Sequence, residues 1–145
     1  MAKKKKRKPI RIQEAFRTVT SRGNRVVQRE YEIRQNGEHI GLLNYASDLQ
    51  RGGGTGLNDE FKDHFKKTDA GINFIKTARG HRNKGIGTKL LKKAERVAKK
   101  EKKNRILLEV SPDKKKNISF YKKHGYTPID TSKRKEKWIL MEKKL

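Results

Sequence analysis

The segment from Gly71 to Lys103 constrains the fold most, because its apolar pattern changes period part-way along. Alternating residues predict a strand over Gly71–Thr77, a loop follows over Ala78–Lys84, and apolar residues at helical spacing predict a long helix over Gly85–Lys103. The apolar stripe of this helix consists of Ile86, Leu90, Leu91, Ala94, Val97 and Ala98. A strand that leads into a one-sided helix is a unit of a fold in which helices cover a sheet.

Predicted strands lie on both sides of this unit. Three precede it, Ile10–Val19, Val26–Arg34 and Glu38–Tyr45, and the last two flank Asn36-Gly37, a strong hairpin signal. A strand at Arg105–Val110, a helix at Lys115–His124 ended by Gly125, and a strand pair at Tyr126–Asp130 and Lys137–Met141 follow it. The order predicts an α+β domain with a mixed, mostly antiparallel sheet and flanking helices.

The segment Asp48–Ala70 interrupts the strand pattern. Its glycines predict a flexible loop, and Phe61 and Phe65, one helical turn apart, predict a short helix over Asn58–Lys67. The glycines are Gly52, Gly53, Gly54 and Gly56. They do not form a nucleotide-binding P-loop, because Leu57 follows the last glycine where that motif requires lysine.

Composition limits the core and excludes several protein classes. Leu, Ile, Val and Phe make up 31 of the 145 residues, just above the level at which highly charged chains are usually disordered. Residues 3–8 are all cationic, so we predict a basic disordered arm over residues 1–8 and a single domain over 9–145. We expect no membrane span and no secretory leader, and the absence of cysteine excludes disulfides and thiolate chemistry.

The net charge of +24 bears on partners. An excess of +18 remains when the six cations of residues 3–8 are set aside, so the charge belongs to the whole chain. Such a field attracts polyanions, and RNA, DNA or a ribosome are the partners we expect, although high charge also serves solubility alone. We expect a cytoplasmic location, or a nuclear one if the source is eukaryotic, because of the basic cluster before Pro9.

The loop between the predicted strand and long helix is suited to a pyrophosphate. Two glycines, Gly85 and Gly87, open the helix, whose unpaired N–H groups and dipole favour anions. Arg82, Lys84 and Thr88 add two cations and a hydroxyl. A dinucleotide fingerprint is excluded, because it needs a third glycine where Leu90 stands. A helix start that binds nothing remains the alternative.

Two motifs in this half of the chain resemble those of the GCN5-related N-acetyltransferase (GNAT) family. Arg82-x-x-Gly85-x-Gly87 is similar to its coenzyme A pyrophosphate motif. Leu108-Glu109-Val110 followed by Phe120-Tyr121-Lys122-Lys123-His124-Gly125-Tyr126 looks like its second block, a strand and then a helix. The resemblance implies splayed central strands, acetyl-CoA as co-substrate, and transfer of the acetyl group to a primary amine.

The resemblance also implies roles for individual residues. Tyr121 would be the general acid that protonates the departing thiolate, and a strand amide near Ile75 would donate to the thioester oxygen. Residues implied to contact the cofactor are Ile75, Thr77, Arg82, Asn83, Lys84, Gly85, Ile86, Gly87, Thr88 and Asn117.

The chain also departs from the family pattern. Lys114 stands where a cofactor-binding Asn is frequent, and Gly71 where a catalytic Glu is frequent. Asp69, Asn73, Glu109 or an ordered water are left as candidates for the base. The two helices that usually follow the first strand are missing, so the acceptor, whether protein or RNA-associated, cannot be transferred from the family.

A second function is compatible with these departures. The chain would then be a non-catalytic nucleic-acid- or ribosome-binding protein on the same scaffold. A metal site is not expected in either case, because the four histidines lack paired ligand spacing.

Overall fold

The computed structural model describes residues 10–21, 25–47, 57, 59–82 and 85–145. Within these ranges seven strands form one sheet in the order β1-β2-β3-β4-β5-β7-β6, in which only β4 and β5 run parallel. The strands are β1 Arg11–Ser21, β2 Arg25–Gln35, β3 Glu38–Ala46, β4 Asp69–Thr77, β5 Arg105–Val110, β6 Thr127–Thr131 and β7 Ile139–Lys144. The helices are α1 Ile86–Lys100, α2 Lys115–Lys123 and a short 3-10 helix, Asp59–His64. The predicted α+β class with a mixed, mostly antiparallel sheet is confirmed.

The first half of the sheet is the predicted meander. Asn36 and Gly37 have φ of 51° and 77°, the positive values that a tight hairpin turn needs, and they join β2 to β3. Only residues 22–24 separate β1 from β2, which leaves no room for two helices at that point. The predicted arm over residues 1–8 and the glycines of residues 52–56 lie outside the described residues.

Helix α1 covers one face of the sheet through its predicted stripe. Ile86, Leu90, Leu91, Ala94, Val97 and Ala98 are all buried. They form one cluster with strand residues that include Tyr31, Leu43 and Ile72. The prediction of the helix and of its core-facing side is confirmed, although α1 ends at Lys100 rather than Lys103, before Lys102 with a positive φ of 60°.

The opposite face of the sheet is covered in part by the segment before β4. Leu57 and Phe61 are buried there in a second cluster with Ala46, Leu107 and Leu140. The predicted helix over Asn58–Lys67 is instead a 3-10 helix that ends at His64. The chain then turns through Lys66, whose N–H donates to Asp69 Oδ2 at 2.9 Å, and passes directly into β4.

Strand boundaries shift where tertiary pairing adds or removes residues. β4 begins at Asp69, two residues earlier than predicted, because it pairs with β5 from its first residue. β7 begins at Ile139 rather than Lys137, because Ser132 and Trp138 close a loop before it. In that loop Ser132 N–H donates to the Trp138 carbonyl at 2.8 Å, and Trp138 N–H donates to Ser132 Oγ at 3.0 Å.

A buried ion pair clamps β4 to β5 at the start of both strands. Asp69 is only 1% exposed, and Arg105 donates to it through Nε at 3.0 Å and Nη2 at 2.7 Å. The same guanidinium donates to Glu142 Oε2 and to the His64 carbonyl, each at 2.7 Å. The parallel pair is therefore held firmly at one end.

No helix among the described residues is long and apolar enough to cross a membrane.

Candidate active site

The two parallel strands diverge beyond the clamp. β4 and β5 pair only over Asp69–Ile72 and Arg105–Leu108. On the other side of β4, Tyr45 pairs with Ile72 while Asn44 pairs with Phe74, so Asn73 is the extra residue of a β-bulge. A bulge bends its strand and increases the local twist. The bend opens a cleft whose first residues are Asn73 on β4 and Glu109 on β5, which confirms the predicted splay of the central strands.

A chain of polar side chains leads to this bulge across three strands. Asn73 Nδ2 donates to Asn44 Oδ1 at 2.6 Å, and Asn44 Nδ2 donates to Glu30 Oε1 at 3.1 Å. The Glu30 carboxylate accepts only, so it fixes the orientation of Asn44, which in turn fixes that of Asn73. The Asn73 oxygen is buried and has no hydrogen-bond partner among the described residues. The bulge thus holds an unused hydrogen-bond acceptor.

The first turn of α1 opens beside the cleft. Gly85 is the N-cap residue with φ 75° and ψ 10°, a left-handed conformation that favours glycine. The first intrahelical bond runs from Lys89 N–H to the Gly85 carbonyl at 3.0 Å, and no side chain caps the turn. The turn also contains no acidic residue. Its backbone N–H groups and the positive end of the helix dipole are therefore available to an anion.

Helix α2 packs directly against this turn. A Cβ at Gly87 would lie 3.3 Å from Phe120 Cζ, so the ring occupies the space that a side chain would need. His124 Nδ1 lies 2.7 Å from the Phe120 carbonyl, which can only accept, so Nδ1 carries a hydrogen. In the neutral ring Nε2 then accepts from the Thr88 hydroxyl at 3.2 Å. The contact fixes α2 relative to the first turn of α1.

Tyr121 is the residue after Phe120, whose ring contacts Gly87. It is half-buried, with its ring edge-on to Phe120 at 5.2 Å and to Tyr126 at 5.8 Å between centroids. Burial raises the pKa of Tyr121 to about 12. The phenol therefore keeps its proton throughout the physiological pH range and is a hydrogen-bond donor.

The remaining predicted site residues are distributed over the same region. Ile75 pairs with Leu43 and Thr77, the last residue of β4, pairs with Gly41; both are half-buried. Ile86 buries its side chain in the core and offers only its backbone. Arg82 and Asn117 are exposed, the latter one helical turn before Tyr121. Asn83 and Lys84 lie outside the described residues.

The candidates for a base differ in their chemistry and their position in the sheet. Asp69 is buried and both its oxygens accept hydrogen bonds from Arg105, so its carboxylate is held in an ion pair and does not serve as a base. Asn73 is an amide and does not take up protons at physiological pH. Glu109 is half-buried at the first position of β5 beyond the last pair with β4. Its neighbours Leu108 and Val110 belong to the core cluster under α1, so Glu109 points to the opposite face of the sheet.

Three residues of this region were not foreseen from the sequence. In the sequence Phe120 is only one residue of a motif, and Glu30 and Asn44 lie within predicted strands like their neighbours. Asn44 carries the one usable signal, since it is a polar residue inside the apolar run Ile40–Tyr45. Among the described residues no group of three or more histidines and carboxylates is placed to hold a metal ion.

The sequence matches a model of the acetyltransferase (GNAT) family over residues 5–126. The chain belongs to this family. The family's donor is an acyl-coenzyme A, and the geometry described above fits it. An uncapped helix start without acids suits a pyrophosphate, the tip of the Phe120 ring lies against Gly87, and the cleft between β4 and β5 leaves strand edges unpaired. No curated protein matches the chain in sequence.

Solved structures share the fold at low identity. The PaiA N-acetyltransferase of Thermoplasma acidophilum in complex with coenzyme A is 22% identical, with a TM-score of 0.62 over 80% of this chain and 60% of that one. A GNAT acetyltransferase of Elizabethkingia anophelis with acetyl-CoA bound is 19% identical, with a TM-score of 0.61 over 81% and 76%. The ribosomal-protein-S18-alanine N-acetyltransferase of Escherichia coli is 16% identical, with a TM-score of 0.60 over 81% and 68%. The chain thus spans less than two thirds of the first of these.

Proposed function

We propose that this GNAT protein is an N-acetyltransferase that moves the acetyl group of acetyl-CoA to a primary amine of a protein or RNA-associated acceptor. The observation that carries the proposal is the end of pairing between β4 and β5, combined with the uncapped first turn of α1, which packs through Gly87 against the helix that carries Tyr121. A donor with a pyrophosphate at one end and a thioester at the other needs these three elements together.

The donor would be held by backbone more than by side chains. The turn at Gly85, Ile86, Gly87 and Thr88, with Arg82, Asn83 and Lys84 before it, would bind the pyrophosphate. The unpaired edge of β4 at Ile75 and Thr77 would bind the pantetheine in the manner of an added strand, and Asn117 would add a side-chain contact. When bound, acetyl-CoA would supply the acetyl thioester.

The reaction would be a direct displacement. The amine nitrogen forms a bond to the carbonyl carbon, negative charge develops on the oxygen, and the carbon–sulfur bond then breaks. A backbone N–H near Ile75 would stabilise the oxygen. Tyr121 would act as general acid toward the sulfur. The pKa of Tyr121, about 12, exceeds the reference thiol pKa of ~8.5, so complete proton transfer from Tyr121 to the thiolate is unfavourable. Tyr121 would therefore assist by sharing its proton with the sulfur in the transition state.

The attacking amine must lose a proton, and Glu109 would accept it. Glu109 and Asn73 are the residues at which the two strands separate, so a group in the cleft lies between them. The unpaired Asn73 oxygen would accept a hydrogen bond from the amine and orient it. The clamp leaves Asp69 unsuitable for this role.

Charge favours an acceptor presented by an anionic carrier. A protein with a net charge of +24 repels small free cations and attracts RNA or ribosomal particles. The acceptor's KM should then rise steeply with salt while the affinity for acetyl-CoA changes less. Equal salt effects on both constants would contradict this assignment.

The second candidate is a nucleic-acid- or ribosome-binding protein without catalysis. The exposed Lys114 at the N-cap of α2, where the family often has a cofactor-binding Asn, is the observation that favours it. Titration calorimetry with acetyl-CoA separates the two. If the protein is an enzyme, we expect a Kd for acetyl-CoA near or below ~100 μM, which is about −5.5 kcal/mol. We also expect acetyl transfer to at least one acceptor in a panel of a lysine peptide, a diamine and ribosomal particles. A folded sample that binds no acetyl-CoA would contradict the enzyme.

A further inference from the structure

Helix α1 carries a row of cations on its outer side. Among the residues of α1, the exposed side chains are all lysine or arginine. Four of them, Lys92, Arg96, Lys99 and Lys100, recur at spacings of three and four residues and so share one side of the helix. We refer to these four as the basic stripe. None of them forms an ion pair with a described residue.

The other charged residues of α1 show the contrast. Lys93 lies over the Tyr31 ring, with its Nζ 5.1 Å from the centroid. Glu95 accepts from Lys143 Nζ at 2.6 Å, and Glu101, just after the helix, accepts from the Tyr45 hydroxyl at 2.7 Å. Both acids thus turn toward the sheet, which leaves the outer side of the helix without a negative charge. Like charges at these spacings repel one another, and a bound external anion would relieve that repulsion.

We infer that the basic stripe is a docking surface for the sugar–phosphate backbone of a nucleic acid. The apolar side of α1 is fully buried, so the stripe is held rigidly. From Lys92 to Lys100 the helix rises about 12 Å at ~1.5 Å per residue, enough for roughly three steps of a duplex at ~3.4 Å each. Lysines of this kind contact phosphates in register and carry no base specificity.

The composition of the stripe argues against the competing polyanion, an anionic membrane. A membrane-binding helix inserts apolar side chains below the charged ones, and every apolar residue of α1 faces the core instead. No aromatic residue stands among the stripe, so stacking on unpaired bases is not its function either. The surface is thus suited to a phosphate backbone. This assignment does not depend on acetyl transfer, because the stripe lies apart from the cleft.

The chain offers a matched control for the test. The loop between β6 and β7 also carries three lysines and one arginine, all exposed: Lys133, Arg134, Lys135 and Lys137. The stripe variant changes Lys92, Arg96, Lys99 and Lys100 to Gln, and the loop variant changes the four loop cations to Gln. Each variant lowers the net charge from +24 by the same four charges. Glutamine is a good helix former, which protects α1 in the stripe variant.

Binding is measured by fluorescence anisotropy with labelled RNA and DNA duplexes of about 20 base pairs, in salt from about 0.05 to 0.2 M. We expect the stripe variant to bind at least tenfold more weakly at about 0.15 M salt and its log–log salt slope to fall by two to four. We expect the loop variant to change affinity less than threefold. A stripe variant with Arg in place of the three lysines should bind as the unmodified protein does. The RNA and DNA arms identify which duplex is preferred.

Several outcomes would overturn the inference. Equal losses in the two variants would show diffuse attraction by net charge, and no duplex binding by the unmodified protein would remove the site. Stronger binding to phosphatidylserine vesicles than to either duplex would assign the stripe to a membrane. If the fourfold stripe variant fails to fold, the pairs Lys92→Gln with Arg96→Gln and Lys99→Gln with Lys100→Gln are tested separately. The Kd for acetyl-CoA is expected to be the same in each variant as in the unmodified protein. A failure of this inference can therefore be distinguished from a failure of the proposed acetyltransferase function.

Discussion

Gly87 lies against the tip of the Phe120 ring, with 3.3 Å between Phe120 Cζ and the position that a Cβ would take. This contact joins the first turn of α1 to the helix that carries Tyr121. Gly87→Ala should require the ring to move by a few tenths of an ångström, and Gly87→Val should displace it. We expect the Kd for acetyl-CoA to rise tenfold or more in the valine variant, measured by calorimetry.

Gly37→Ala is the control for this prediction. Gly37 has a positive φ, 77°, so alanine is strained there by about 1–2 kcal/mol, and it lies in the β2–β3 hairpin with open space around it. It should lower the free energy of unfolding without changing the Kd. If both glycine variants weakened acetyl-CoA binding alike, loss of stability rather than the Phe120 contact would be the cause.

Tyr121→Phe should lower kcat by about 10²-fold and leave the Kd for acetyl-CoA unchanged, because only a transition-state hydrogen bond is lost. Because burial raises the pKa of Tyr121 to about 12, its ionisation should produce no alkaline decline in kcat below about pH 10. Rates are measured on the first acceptor found in the transfer assay, across pH.

Tyr126→Phe is the matched variant on the neighbouring ring. The Tyr126 hydroxyl is buried without a hydrogen-bond partner among the described residues, and burial raises the pKa of that phenol also. Removing an unsatisfied hydroxyl should leave kcat unchanged and raise the free energy of unfolding by up to about 1 kcal/mol. An equal fall in kcat in both variants would argue that the rings act by packing and not through the Tyr121 proton.

Glu109→Gln should lower kcat/KM, and the deficit should shrink as pH rises. Without a base the enzyme must use the fraction of acceptor that is already deprotonated, which grows tenfold per pH unit below an amine pKa of ~10.4. The pH profile of the variant should therefore be steeper than that of the unmodified enzyme. A constant ratio between the two rates at all pH values would exclude a proton-accepting role for Glu109.

The ion pair between Asp69 and Arg105 should contribute strongly to the free energy of unfolding, because it joins the first residues of β4 and β5. Arg105→Ala leaves a buried carboxylate and should lower the free energy of unfolding by about 3–5 kcal/mol in urea. The double variant Asp69→Asn with Arg105→Met should recover most of this loss, because the buried Asp69 side chain then carries no charge, and only Glu142, whose side chain is 16% exposed, loses its partner. If the double variant were as unstable as Arg105→Ala, the hydrogen bonds of Arg105 to Glu142 and His64 would be the larger contribution.

Local pattern was sufficient for much of the fold. The hairpin at Asn36-Gly37, the core-facing stripe of α1 and the short β1–β2 connection were predicted because each depends on residues close together in the chain. The strand edges were less accurate, since Asp69 joins β4 only because Arg105 is its neighbour across the sheet. The 3-10 helix at Asp59–His64 ended early for a similar reason, because Asp69 accepts from the chain at Lys66.

The sequence by itself determined the glycine-opened turn of α1, the position of Tyr121 on the next helix and the family to which the chain belongs, because these depend on short motifs and their spacing. Only the tertiary structure decided that Asp69 is paired with Arg105 in a clamp, that Glu109 lies where β4 and β5 stop pairing, and that the Asn73 amide is oriented by Glu30 through Asn44. These facts depend on contacts across strands far apart in the chain, where pairing and the bulge in β4 set which side chains meet. The local periodicity of the sequence does not specify this register between distant strands.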